Sequence, residues 1–333
     1  MPDSPPLRVV FDTDTANEID DQFALAWALR APERLRIEGV HAAPFSHGDF
    51  FDALATAADA RGGATTVLEK LAERIGPEGR EKLRGRASAG DGMKKSFDEI
   101  LDVFRAAGLD PGGRVKRGSS KFMTAPDEPV ESEAVDHLIA LAKSATPEEP
   151  IHVATIGAAT NVASALLVDP SIAAHLRVLF LAGYPTGAGV ADDSFNLVQD
   201  RFASNVLFES SVPLVYIPGY QVAEVLQISL PAAREWLDGR GPLAQYLFET
   251  YTTNPLDPNP GVPGKSWVIW DIIATALLLE PEWVPTREVP RARIRADHLW
   301  EPIPDAGSGM QEAFGARRNE IFGDLIKRVT ADR

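Results

Sequence analysis

The stretch LRVVFDTDTANEIDDQFALAWALRAP, Leu7 to Pro32, decides the fold. Its first six residues, LRVVFD, are a short apolar run rich in β-branched side chains, the pattern of a buried strand. From Asp20 the pattern changes. In DDQFALAWALRAP the apolar Phe23, Leu25, Ala26, Trp27 and Leu29 suit a helix packed on a sheet, and Pro32 ends it. A strand that feeds a helix in this way opens a strand–helix–strand unit, whose strands pair in parallel.

Working outward, the same alternation recurs. IEGVHAA (Ile37 to Ala43), IHVATIG (Ile151 to Gly157), VLFLAG (Val178 to Gly183) and PLVYIPG (Pro213 to Gly219) read as further buried strands, and Asn161 to Leu167 as a helix stopped near Asp169-Pro170. The expectation is one α/β domain over residues 1–333, an open and mostly parallel sheet with helices on both faces. Ligands of such sheets sit beyond the carboxyl ends of the strands. Residues 61–113 depart from the alternation. They are charged, Gly-rich and helical in parts (TTVLEKLAERI, SFDEILDVFRAAG), which predicts a helical surface insertion, with a lid as the alternative, and RASAGDGMKK (Arg86 to Lys95) as a mobile break. TTNPLDPNPGVPGK (Thr252 to Lys265) is too rich in Pro and Gly for regular structure.

Composition narrows the function. A formal net charge of -15 opposes binding to phosphate backbones or anionic membranes and favours a neutral or cationic small substrate. The chain has no cysteine, which excludes disulfides, thiolate nucleophiles and zinc-thiolate sites. No basic segment followed by an apolar stretch opens the chain and no apolar run reaches the length of a membrane span, so the cytoplasm is the expected location.

FDTDTANEIDD (Phe11 to Asp21) carries four aspartates and one glutamate directly after the first strand. One Asp would be ordinary in a turn or as a helix cap, as Asp20 could be. Four packed between an apolar strand and an apolar helix repel one another unless a cation neutralises them. Hard oxygen donors select calcium or magnesium.

Two families share a first strand followed by Asp-x-Asp. DTDTA resembles the haloacid-dehalogenase phosphatases, where Asp12 would be the nucleophile and Asp14 the acid, with magnesium bound. That pattern also needs a later Gly-Asp with a second acidic residue. IFGDLIKRV supplies Gly323-Asp324 without that partner, inside an amphipathic C-terminal helix, so the match stops after its first motif. The second resemblance runs further. Asp-x-Asp, a loop, then Asp-Asp opening an apolar helix resembles the nucleoside hydrolase family of the inosine-uridine preferring type, with TANEI as a lengthened loop. ATIGAATNVASALLVDP, FLAGY with SFNLVQDRFAS, and VIWDIIATALLLEPEWV resemble later segments of that family in the same order.

The resemblance implies a calcium site with the side chains of Asp14, Asp21 and Asp271 and the main-chain carbonyl of Ile156 as ligands, and Asp12 supporting them. Asp14 would also be the general base toward the attacking water. Asp20 and Asn196 would hold sugar hydroxyls, with Ser46, Ser194 and Phe195 around the substrate. Ser46, Ala188 and Ser194 stand where the family carries ribose-binding Asn and Glu, which thins the sugar shell and keeps a non-catalytic sugar- or nucleoside-binding relative as an alternative. Trp270 stands where many members carry a His; it resembles the purine-preferring subgroup, in which stacking raises the basicity of the departing purine, and Phe122 would be a second stacking wall. The implied reaction is hydrolysis of the N-glycosidic bond of a nucleoside, purine favoured, by a dimer or tetramer.

The six histidines show no spacing of a metal site or triad; His47 follows the second strand, within reach of the pocket, and reads first as a solvated loop residue. RARIR (Arg291 to Arg295) reads as a solvated strand.

Overall fold

Val9 and Phe11 face one side of the first strand and Val10 the other, and all three are fully buried. A strand buried on both faces needs a layer on each, and the chain supplies them in order. The computed structural model describes residues 5–83, 88–254, 256–257, 262–304 and 309–331. Its strands are β1 (Leu7–Thr13), β2 (Leu35–Ala42), β3 (Val115–Arg117), β4 (Ile151–Thr155), β5 (Leu176–Ala182), β6 (Leu214–Pro218), β7 (Gln227–Ser229), β8 (Ser266–Val268), β9 (Thr286–Val289), β10 (Ala292–Ile294), β11 (Trp300–Pro302) and β12 (Met310–Ala313). Its helices are α1 (Asp20–Leu29), α2 (Gly48–Arg61), α3 (Val67–Leu83), α4 (Ala89–Ala106), α5 (Glu133–Lys143), α6 (Thr160–Val168), α7 (Phe195–Val198), α8 (Arg201–Glu209), α9 (Leu230–Leu237), α10 (Pro242–Thr252), α11 (Ile272–Leu279) and α12 (Arg318–Val329).

Eight strands form one sheet in the order β3-β2-β1-β4-β5-β6-β12-β9. Every pairing in it is parallel except the edge pair β12–β9. The expected α/β architecture is what forms. One face is covered through Trp27 of α1, Phe104 of α4, Ile273 of α11 and Leu325 of α12, the other through Leu138 of α5, Val162 of α6 and Phe208 of α8. From β1 the chain steps outward to β2 and β3. From β4 it steps the other way, to β5 and β6. The order reverses between β1 and β4, so a crevice opens beyond their carboxyl ends. The Ile156 N–H donating to Asp12 O at 2.8 Å extends the β1–β4 pairing to the lip of that crevice.

Residues 61–113 divide in two. α2 and α3 pack on each other through Phe51, Ala55 and Ala72 in a small core of their own. α4 instead inserts Ile100, Val103 and Phe104 into the main core, against β2 and β3. The expected mobile break is corrected for its described part: Ser88 accepts from the Asp91 N–H as N-cap of α4, and the helix runs on through Lys95. Arg86 and Ala87 lie outside the described residues. Gly92 explains why this segment is glycine-rich, since a Cβ there would lie 2.0 Å from the Phe45 carbonyl oxygen; the glycine permits close helix packing.

In the Thr252 to Lys265 stretch, α10 ends at Thr252, and Lys265 pairs with Asp257; residues 255 and 258–261 lie outside the described residues. RARIR is only partly solvated: Arg291 is buried, donating to the carbonyls of Phe208 (3.0 Å) and Val212 (2.6 Å). Among the described residues, no helix is long and apolar enough to cross a membrane.

Candidate active site

β1 delivers Asp12 and, one residue past its end, Asp14. α1 starts at Asp20 and Asp21, where exposed helical N–H groups and the dipole favour carboxylates. The N-cap position is Ile19, so Asp20 stands one residue inside the helix rather than at its cap. Asp271 precedes α11, and the Thr275 hydroxyl donating to the Ala24 carbonyl at 3.0 Å locks α11 onto α1. Two helix N-termini thereby aim at one point. Carboxylate oxygens of Asp20, Asp21 and Asp271 lie within 4.8 Å of one another.

These acids sit at the floor of a cavity of about 660 Å³, within the range of small-molecule sites. Asp14, Asp20, Asp21, Ile156, Ser194, Phe195, Asn196, Trp270 and Asp271 all line it. Asp12, Ser46 and Phe122 do not. Asp12 is fully buried behind the cavity, its Oδ1 accepting from Asn161 Nδ2 at 2.8 Å. Ser46 N–H donates to Gln199 Oε1 at 2.7 Å, off the cavity wall. Asn196 Nδ2 donates to the Ile156 carbonyl (2.8 Å) and the Leu181 carbonyl (3.1 Å), so two expected site groups contact each other directly. Gly157 keeps this floor tight, because a Cβ there would come within 3.0 Å of the Asp14 nitrogen.

The electrostatics are one-sided. Burial first, then Asp21, Glu18 and Asp12, push the Asp14 carboxyl well above the usual range. Asp271 is raised by burial and then by Asp20, Asp21 and Asp14. Asp20 is raised by burial, Glu18 and Asp21. Asp21 is pushed up to about 6 by burial, moderated by a hydrogen bond from the Thr13 hydroxyl and one shared with Asp271. Each of these carboxyls is raised by burial, Asp14, Asp20 and Asp271 also by the charge of their acidic neighbours, and no cationic side chain is among the groups that shift any of the four. A hard divalent cation would relieve that repulsion. The donor set, all oxygen with a main-chain carbonyl at its rim, fits calcium or magnesium.

The walls hold groups that the sequence did not single out. Tyr184 and Tyr220 line the cavity with ring centroids 4.5 Å apart, and Tyr220 meets Trp270 edge to face at 5.5 Å. Glu18, in the lengthened loop, also faces the cavity and accepts the Trp267 indole N–H. His47, expected in solvent, is fully buried; it bonds Asn17 Oδ1 and packs among Phe45, Phe51 and Phe195. Phe45 and Phe51 flank it within its own segment, while Phe195 and Asn17 reach it from distant parts of the chain. α3, from the stretch expected as a surface insertion, adds Leu68 and Leu71 to the cavity rim. Asp324, the alternative phosphatase carboxylate, is far from this crevice. It accepts from the Trp27 indole at 2.8 Å and from Arg328.

Comparison with known proteins agrees with the geometry. The sequence profile of the inosine-uridine preferring nucleoside hydrolases matches residues 9–298. A Shigella boydii serotype 4 protein, provisionally named pyrimidine-specific ribonucleoside hydrolase RihB, is 28% identical over 139 residues. That alignment covers 40% of this chain and 56% of that protein, so the chain matches little more than half of its curated relative. A plant nucleoside hydrolase, PpNRh1, superposes with a TM-score of 0.68 at 16% identity, covering 98% of this chain and 100% of that one. A purine-preferring ribonucleoside hydrolase from Gardnerella vaginalis gives 0.65 at 17%, covering 97% and 98%. At such identities the structures establish a shared fold.

Proposed function

Because the chain belongs to the inosine-uridine preferring nucleoside hydrolase family, we propose that it hydrolyses the N-glycosidic bond of a nucleoside to free base and sugar. The observation that carries this reading is the convergence of Asp14, Asp20, Asp21 and Asp271 in one cavity beside an aromatic wall. Asp14, Asp21, Asp271 and the Ile156 carbonyl would hold calcium, with Asp12 behind them. A bound calcium supplies charge neutralisation among the carboxylates and makes a neighbouring water more acidic.

The residues of the chain do the rest. Asp14 accepts a proton from the attacking water, whose oxygen bonds to the anomeric carbon as the bond to the base breaks. The sugar acquires oxocarbenium character, which the surrounding carboxylates stabilise. Asp20, Asn196 and Ser194 orient sugar hydroxyls, and Phe195 closes the pocket beside them. The departing base stacks on Trp270, braced by Tyr220, and takes one proton from solvent as it leaves, while Asp14 returns to solvent the proton it took from water. A large indole face favours a purine over a smaller pyrimidine. A cytoplasmic location and self-association as a dimer or tetramer belong to the same reading. They are supported by the family resemblance and the acidic, cysteine-free composition.

The test is release of free base from inosine, adenosine and uridine by the purified protein. Turnover is expected with calcium, fastest on a purine nucleoside, and lost on chelation and in Asp14→Ala. Absence of base release from every nucleoside in the presence of calcium would contradict the proposal.

A further inference from the structure

The lengthened loop between Asp14 and Asp20 is pinned at both ends. The Asn17 N–H donates to the Asp14 carbonyl at 2.7 Å and its Nδ2 to Asp14 Oδ2 at 3.2 Å, while His47 clasps its Oδ1. Ile19 is buried in the main core. Ala16 is held at φ 102°, a conformation that costs a non-glycine residue free energy and persists where the surroundings fix it. The loop is thus a shaped part of the site rather than slack in the chain.

Glu18 is the residue this shape turns into the cavity. Its carboxylate accepts the Trp267 indole N–H and a hydrogen bond from Trp270, both neutral donors. It stands outside the trio of mutually close carboxylates formed by Asp20, Asp21 and Asp271. Among the described residues it forms no ion pair. The four lone-pair directions of a carboxylate exceed what two indole donors use. What remains is an acceptor, fixed in orientation, between the acid floor and the aromatic wall.

The positions where the resemblance expects ribose-binding Asn and Glu lack such groups. Ser46 lies off the wall, Ala188 is not among the lining residues, and Ser194 offers only a short hydroxyl. We propose that Glu18 is a substrate-contacting, specificity-determining residue that accepts a hydrogen bond from a sugar hydroxyl of the nucleoside, with Asn17 and His47 positioning its loop. The inference rests on the nucleoside hydrolase reading. It assigns the lengthened loop the recognition that the serine and alanine positions cannot provide.

The experiment compares wild type, Glu18→Ala and Glu18→Gln on one ribonucleoside and its 2′-, 3′- and 5′-deoxy analogues, with calorimetric binding of D-ribose to the calcium-loaded proteins. Glu18→Ala is expected to lower kcat/KM on the ribonucleoside by about 10- to 100-fold, the weight of a hydrogen bond to a charged group. That loss should shrink to below about threefold on the one analogue lacking the contacted hydroxyl, where no such bond remains to be lost. Glu18→Gln, which keeps an acceptor oxygen, should fall between the two, and ribose affinity should drop in Glu18→Ala. An equal loss on the parent and all three analogues would overturn the inference, as would a loss that instead follows the amino groups of the base. If wild type releases no base at all, the hydrolase reading fails while ribose binding still decides Glu18. Unchanged ribose affinity in Glu18→Ala, with the melting temperature intact, would overturn it.

Discussion

Two sets of buried acids divide this molecule. Asp200 caps α8, Asp192 lies in the segment after β5 and Glu312 is within β12, and each is surrounded by donors. Asp200 accepts the N–H groups of Met123 and Ala203, both at 2.9 Å, and the Thr160 hydroxyl at 2.7 Å. Asp192 accepts from Tyr184 N–H (2.7 Å), Ser194 N–H (3.2 Å) and the Trp300 indole (3.1 Å). Glu312 takes the Thr186 N–H and hydroxyl and pairs with Arg287 at 3.0 Å. At the carboxyl ends of β1 and β4, by contrast, Asp14, Asp20, Asp21 and Asp271 face chiefly one another. A buried acid ringed by donors ties segments of chain together. Buried acids that face acids destabilise the fold locally, and such an arrangement is retained where a cation or substrate completes it.

The contrast predicts opposite mutational signatures. The largest effect belongs to the facing set: Asp14→Ala should lower base release by about 10³-fold or more, combining loss of a general base with loss of a ligand, without lowering the melting temperature of the metal-free protein. Next comes the tied set. Asp200→Ala leaves three buried donors without an acceptor and should cost about 2–4 kcal/mol in urea unfolding, with turnover per folded molecule within about threefold of wild type because the cavity is untouched. If Asp14→Ala unfolds the protein and Asp200→Ala inactivates the folded one, the division is wrong.

Trp270→Leu sharpens the account of the aromatic wall. It should reduce kcat on purine nucleosides by about 10-fold and on pyrimidine nucleosides less, since a stacked aromatic pair contributes about 0.5–1.5 kcal/mol. Equal losses on both would remove the indole from base recognition.

The smallest effect is a pH dependence of stability. Without metal, burial holds Asp12 and Glu18 at about 7 and Asp21 at about 6, against ordinary carboxyl values near 4. Between those limits the folded chain keeps protons that the unfolded chain has lost. Stability contributed by these groups is therefore full below about pH 4 and falls as pH rises toward 7. Glu69 acts in the opposite sense. Its partners Arg61 and the N–H groups of Thr65 and Thr66 overcome burial and hold it at about 2, so its contribution is lost as pH falls from about 4.5 toward 2. The melting temperature of the metal-free protein should decline by several degrees from pH 4.5 to 7, and calcium should restore it at pH 7 while changing little at pH 4.5. A profile that is flat with and without calcium would show that the facing acids are not coupled to folding.

How much of this was legible in the sequence follows from where the information sits. The strands LRVVFD, IHVATIG, VLFLAG and PLVYIPG announce themselves because burial on both faces demands continuous apolar, β-branched runs. The N-terminal acids are legible because Asp12, Asp14, Asp20 and Asp21 crowd into one short stretch between an apolar strand and an apolar helix. Asp271 is legible only through its resemblance, since its meeting with Asp21 depends on α11 packing on α1. Tyr184, Tyr220 and Glu18 converge only when the sheet is assembled. Nothing local separates a wall-lining tyrosine from a core one. The expected break at Arg86 to Lys95 is a helix over its described part, Ser88 to Lys95, for a related reason: Gly90 and Gly92 signal flexibility locally, yet serve close packing against Ser120 and Phe45. The burial of His47 escapes the sequence because Phe195 and Asn17, which close around it, are both distant from it in the chain.

The central claim is that the facing acids are a cation site. Its most direct test is a crystal structure of the protein soaked with calcium and ribose, read from anomalous scattering at the ion. The account predicts one calcium held by Asp14, Asp21, Asp271 and the Ile156 carbonyl, with sugar hydroxyls toward Asp20, Asn196 and Glu18. A cavity that binds ribose with no ion between those carboxylates, or an ion held elsewhere, would contradict it.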